Sequence, residues 1–125
     1  ADLGPFRVSG RLVDHPVEAY AIKVEYAGRT LVYSGDTAAC PELTGFTRGA
    51  DLFLAEAAFR DGDQNPPHLH MTGSEAARTA AEAGASRLVL THVAPWHDPQ
   101  AALAEADGVF DGEISLATVG ATYDI

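Results

Sequence analysis

The chain has 125 residues, 46% of them hydrophobic, and 18 acidic side chains against 8 basic ones give it a formal net charge of −10. That length makes one domain with a core of its own, and the negative balance repels phosphate backbones and sets generic nucleic-acid binding aside. A single cysteine excludes an intrachain disulfide framework and fits a reducing cytoplasm, no apolar run is long enough to span a bilayer, and Ala1-Asp2-Leu3-Gly4-Pro5 has the features of no signal peptide.

Phe6 to Val13 reads as a strand that ends at Asp14-His15-Pro16, where Pro16 holds His15 extended. Ala19 to Tyr26 alternates as a second strand, Ala27-Gly28-Arg29 is a tight turn, and Thr30 to Tyr33 pairs back as a hairpin. The hairpin ends in Ser34-Gly35-Asp36-Thr37, where Gly35 allows a sharp turn that delivers one carboxylate. Ala38 to Gly49 forms a short helix with Pro41 at its start and Gly49 at its stop. Cys40 has no base beside it and is not read as a nucleophile.

Asp51-Leu52-Phe53-Leu54-Ala55 runs into Glu56, and Arg87-Leu88-Val89-Leu90-Thr91 runs into His92. Between them, Arg60 to His70 is a polar, Pro-bearing loop, with one of its two histidines expected over a pocket. His70 has the firmer base, because Thr72-Gly73-Ser74-Glu75 is a capping box that opens an alanine-rich helix to about Ala83, stopped by Gly84. Asp98 caps a further helix with Pro99 in its first position, running through Leu103 to Ala106, and His97 beside that cap is expected to be exposed. Ile114 to Ala117 and Thr118 to Tyr123 read as strands at the sheet margin.

Apolar runs without alternation suit strands covered on both faces, and layered α/β sheets place ligands at the carboxyl ends of such strands. Asp36, Glu56 and His92 each follow such a run, so they are expected to face one pocket. Each alone fits a strand-end group capping a turn, as His15 alone fits a turn residue. Together they are the residue types from which hydrolytic metal sites are built.

In this order and spacing, five segments resemble the C-terminal half of the metallo-β-lactamase fold, in the branch of ribonuclease Z and related phosphodiesterases. They are His15-Pro16-Val17-Glu18-Ala19-Tyr20, Tyr33-Ser34-Gly35-Asp36-Thr37, Leu54-Ala55-Glu56-Ala57-Ala58-Phe59, His70-Met71-Thr72 with Glu75-Ala76-Ala77, and Leu90-Thr91-His92. The third departs from that branch's His-Glu-Ala-Thr pattern, with Ala55 for its His and Ala58 for its Thr. The resemblance implies an α/β fold, half of an αββα sandwich, with a mixed sheet and helices on one face. It also implies hydrolysis of a phosphodiester at two divalent ions, Zn²⁺ or Mn²⁺. Asp36 would bridge the ions, His15 and His92 would each hold one, His70 would act on the leaving group, and Glu56 would orient His70.

The same resemblance implies a missing part. The family's His-x-His-x-Asp-His run is absent and is expected upstream of Ala1, which makes residues 1–125 the C-terminal half of a longer domain. Three candidate ligands cannot complete two catalytic sites that take about three protein ligands each. The chain alone is therefore expected to be inactive, with partial or no metal, and to associate with its missing half or with a second copy as a homodimer. The intact parent is expected to cleave a small-molecule or cyclic-nucleotide phosphodiester. The hairpin-length path from His15 to Asp36 argues against tRNA 3′-processing, other esters stay open, and the competing class is a non-catalytic half-domain that dimerises.

Overall fold

The computed structural model describes every residue from Ala1 to Ile125. Seven strands form one sheet whose spatial order is the chain order. The first four are an antiparallel meander: β1 (Asp2–Leu3), β2 (Phe6–Leu12), β3 (Tyr20–Tyr26) and β4 (Arg29–Tyr33). Tyr26 pairs with Arg29 across a loop of only Ala27 and Gly28, both at positive φ (49° and 77°), which matches the twist of the two strands. From β4 onward the pairing is parallel, through β5 (Leu52–Glu56), β6 (Arg87–Thr91) and β7 (Glu113–Leu116).

Each parallel step is made by one helix: α1 (Pro41–Thr47), α2 (Gly73–Ala83) and α3 (Pro99–Ala106). Crossovers of one hand that progress in one direction put every helix on the same face. The mixed sheet with helices on one face is thus as the resemblance implied. Phe53, Ala55, Leu88 and Leu90 point into the core with Leu43 of α1, Ala76, Ala77 and Ala80 of α2, and Ala102 of α3. Small residues bring the helices close. A side chain on Gly73 would strike the carbonyl of Ala102, so the start of α2 lies directly on α3.

The helix ends follow their sequence signals. Thr72 Oγ1 accepts from the Glu75 amide at 3.2 Å while the Glu75 carboxylate accepts from the Thr72 amide at 3.0 Å, completing the capping box. Gly84 closes α2 at φ 66°, and Asp98 caps α3 through the Gln100 amide at 3.0 Å. No helix is long and apolar enough to cross a membrane.

Three expectations are corrected. The pair β1 and β2 begins earlier than Phe6, because Gly4 at φ 60° turns Leu3 back onto Phe6. Thr118 to Tyr123 is not a strand: Gly120 at φ 80° and a turn from Thr118 to Ala121 carry the chain out of the ladder. This tail instead crosses the helix-free face, with Tyr123 under the Arg87 guanidinium and Ile125 in an apolar groove with Phe6, Val24 and Leu31. Finally, β4 is not covered on both faces, since only Val32 of its five residues is buried.

Candidate active site at the strand ends

Three strand ends and one loop build the site. After β4, Ser34 is buried and its hydroxyl donates to the Gly35 carbonyl while accepting from the Glu56 amide. Gly35 is required twice over: its φ is 63°, and a Cβ there would stand 2.6 Å from the Tyr20 carbonyl oxygen. The turn presents Asp36 to His92, whose Nδ1 lies 2.7 Å from Asp36 Oδ1. His92 follows β6 at φ 54°, a conformation that costs a non-glycine residue about 1–2 kcal/mol. Strain of this kind collects at functional positions.

Glu56, the last residue of β5, is completely buried. Its carboxylate accepts from the amides of Thr37 (2.9 Å), Ala58 (3.1 Å) and Met71 (3.2 Å), and from His70 Nδ1 (2.6 Å). Four donors from three separate segments thus converge on one side chain. A buried carboxylate without such partners would be strongly destabilising.

His70 is the central ring. Its centroid is 5.6 Å from that of His15 and 5.4 Å from that of His92, with the edge of Phe59 at 5.0 Å on another side. His15 Nδ1 donates to the carbonyl of Leu69 at 2.8 Å. Carbonyl and carboxylate oxygens only accept, so the Nδ1 atoms of His15, His70 and His92 each carry a proton, and each Nε2 is left free of these contacts. Imidazoles that act as ligands or proton carriers are oriented in this way.

The structure therefore brings together His15, Asp36, Glu56, His70 and His92, all the residues singled out. Of the two loop histidines, His70 stands over the site, while exposed His68 turns to Asp14, with Nδ1 2.7 Å from Asp14 Oδ2. His97, expected to be exposed, is instead half-buried, with its ring 6.0 Å from that of Trp96 between centroids. Cys40 sits before α1, packed against the core, with the Thr37 hydroxyl 3.9 Å from its sulfur. A groove between α3 and β7, lined by Leu103, Phe110 and Ile114, contains none of the clustered groups. Chemistry, and not groove depth, marks the site.

Sequence reasoning missed Tyr33 and Asp14. Burial first, then the charges of Asp36 and Glu56, push the Tyr33 phenol above its ordinary pKa of 10.0, so it is a neutral hydroxyl beside two carboxylates. Its position three residues before Asp36 was the available signal. Asp14 gave none, because its partner is 54 residues away.

Imidazole nitrogens and a carboxylate are what divalent ions such as Zn²⁺ take, so the donor chemistry of His15, Asp36 and His92 fits a metal. Their geometry alone does not close a shell: no three His, Cys, Asp or Glu side chains of the chain converge to hold one ion.

Comparison with known proteins agrees with this arrangement. Residues 5–93 match the Beta-lactamase superfamily domain. An uncharacterized protein of Mycobacterium leprae is 43% identical over 98% of this chain and 44% of its own length. Ribonuclease Z of Myxococcus xanthus is 43% identical over 78% of this chain and 33% of its own. The crystal structure of the metallo-β-lactamase fold protein YhfI from Bacillus subtilis superposes with a TM-score of 0.88 at 33% identity, covering 94% of this chain and 48% of that one. The chain spans half or less of the length of these relatives. It belongs to the metallo-β-lactamase superfamily, in its ribonuclease Z-like branch.

Proposed function

We infer that the chain is the C-terminal half of a metal-dependent phosphodiesterase. The observation that carries this reading is the His70–Glu56 pair, at 2.6 Å, set between His15 and His92 at the strand ends of a ribonuclease Z-like fold. His15, Asp36 and His92 would hold part of a pair of divalent ions, Zn²⁺ or Mn²⁺, with the remaining donors supplied by the rest of a longer protein. When bound, such ions lower the pKa of water and offset charge on phosphoryl oxygens.

The remaining work falls to the chain's own groups. His70 holds its Nδ1 proton on Glu56 and presents Nε2 to the leaving oxygen. Water adds to phosphorus as the bond to the leaving oxygen breaks. That oxygen takes a proton from Nε2 of His70 in its imidazolium form, whose second proton comes from solvent and whose charge faces the Glu56 carboxylate. Three backbone amides fix Glu56, so the pair cannot swing away from the leaving group.

A small diester suits the site better than a folded tRNA. From His15 to Asp36 the chain holds only β3, β4 and their two-residue loop, with no projecting arm, and the net charge is −10. The helix-free face, where Phe6, Leu12, Tyr20, Ile22 and Tyr26 are exposed, would be covered by the rest of the protein or by a second copy.

The test uses the longer protein that contains this chain, with an activated diester such as bis(p-nitrophenyl) phosphate. Asp36→Ala is expected to abolish hydrolysis and leave circular dichroism unchanged. Retained turnover would sink the assignment. His70→Ala is expected to slow turnover about 10²–10⁴-fold, the usual range for a lost proton donor, at unchanged metal content. Loss of metal in that variant would make His70 a ligand.

A further inference from the structure

Two loops of this chain run side by side at the site, and their contacts repeat in step. The Asp14 carboxylate meets the His68 ring at 2.7 Å, and the next residue, His15, donates from its ring to the carbonyl of Leu69 at 2.8 Å. One residue further along the second loop, His70 meets Glu56. Residues 68, 69 and 70 are thus tied in succession to residues 14, 15 and 56.

Both ends of this arrangement are unusual. His68 follows Pro67 in a turn and has φ 62°, a conformation that turns ordinarily give to glycine or asparagine. A histidine there is strained. Its side chain is 71% exposed and that of Asp14 35%, and a pair so open to water contributes little to stability. The contact therefore does not offset its own strain, and fold stability does not explain it. Asp14, by contrast, is anchored: its amide donates to Thr37 Oγ1 at 3.1 Å, and its carbonyl accepts from the Ala38 amide at 2.9 Å. Those partners directly follow Asp36 in the chain, so Asp14 is fixed to the turn that carries that carboxylate.

We propose that Asp14 and His68 are positioning residues that clasp the 60–70 loop to the Asp36 turn, and so hold the rings of His15 and His70 in register with it. Without the clasp the start of the loop stays tied to Glu105 and Ser74 through Arg60 and Asp61, while its far end is held by the contacts of Leu69 to His15 and of His70 to Glu56. The catalytic consequence rests on the roles proposed above for His15 and His70. The geometric claim is tested separately, in the 125-residue chain, without any assay of hydrolysis.

The chain labelled with ¹⁵N at its histidine rings is examined by long-range ¹H–¹⁵N correlation, which distinguishes the Nδ1–H and Nε2–H forms of each ring. In the parent chain His15, His70 and His92 are expected in the Nδ1–H form. His68→Gly removes the ring and relieves the backbone strain. It is expected to bring the two nitrogen shifts of His15 and His70 toward each other, as in a tautomer mixture, while leaving His92 unchanged and the melting temperature equal or higher. His68→Asn, which tolerates the turn and can still donate to Asp14, is expected to restore the shifts. Unchanged His15 and His70 shifts in His68→Gly would overturn the proposal. So would an equal change at His92, or failure of His68→Asn to restore them, because the hydrogen bond to Asp14 would then not be what holds the register. None of these outcomes bears on whether the longer protein cleaves a diester.

Discussion

The two halves of the sheet obey the same strand geometry and differ in what covers them. In β5 and β6 seven of ten residues are buried, whereas in β2 and β3 only one of fourteen is. Helices lie over one face of the sheet, and the C-terminal tail crosses the other, with Tyr123 at Arg87 of β6 and Ile125 on Phe6, Val24 and Leu31 of the meander. Of the candidate site groups, Glu56 and His92 stand at the ends of the two best-buried strands, β5 and β6, and Asp36 follows β4 at the border with the meander. A buried Glu56 and a fixed His70 require a dry, well-packed wall, and the meander alone provides none.

Glu56→Ala is the substitution that most strongly breaks this difference. It leaves three backbone amides and the His70 ring without their acceptor, and a loss of about 3–5 kcal/mol in urea unfolding is expected. A loss under about 1 kcal/mol would show that the carboxylate does not tie the segments together. The packing side of the contrast is sharpened by a pair of truncations. Phe53→Ala, in the shielded half, is expected to cost about 3–5 kcal/mol, and Phe6→Ala, at the exposed Tyr26 contact, less than half as much. Equal losses would mean that the meander is as well packed as the parallel half.

A smaller effect separates the site from the fold. The Tyr33 phenol titrates above 10.0 in the folded chain, so its contribution to stability is complete below that pH and is lost as pH rises through the folded value. Tyr33→Phe is therefore expected to unfold less readily than the parent above pH 10 and to differ little at pH 7, as read from thermal melts at the two pH values. No difference in the alkaline melts would mean that burial and the two carboxylates do not act on this hydroxyl.

What could be read from the sequence follows the same division. β5 and β6 stand out as apolar runs because both faces are covered, and the capping box, Asp98-Pro99 and Gly84 name their own helix ends through local hydrogen bonds. The hairpin at Ala27-Gly28 is likewise a local event. Thr118 to Tyr123 looked like a strand because its composition suits one, and a turn with Gly120 in the left-handed region prevailed. β1 is too short, at two residues, for any period to show. In the site, the strand-end positions of Asp36, Glu56 and His92 were readable, but the amides that gather on Glu56 and the Asp14–His68 contact join residues far apart in the chain. No local pattern encodes those.

The sheet order β1 to β7 also has a kinetic consequence. Each new strand is laid against the one made just before it, so no strand waits for a partner from the far end of the chain. Loop closure is confined to single helical crossovers, and such local topologies fold faster than sheets with long-range pairings. During synthesis the meander can assemble first and present β4 as the template edge for β5. The strand ends that carry Asp36, Glu56 and His92 are then completed one at a time, in the order in which they leave the ribosome.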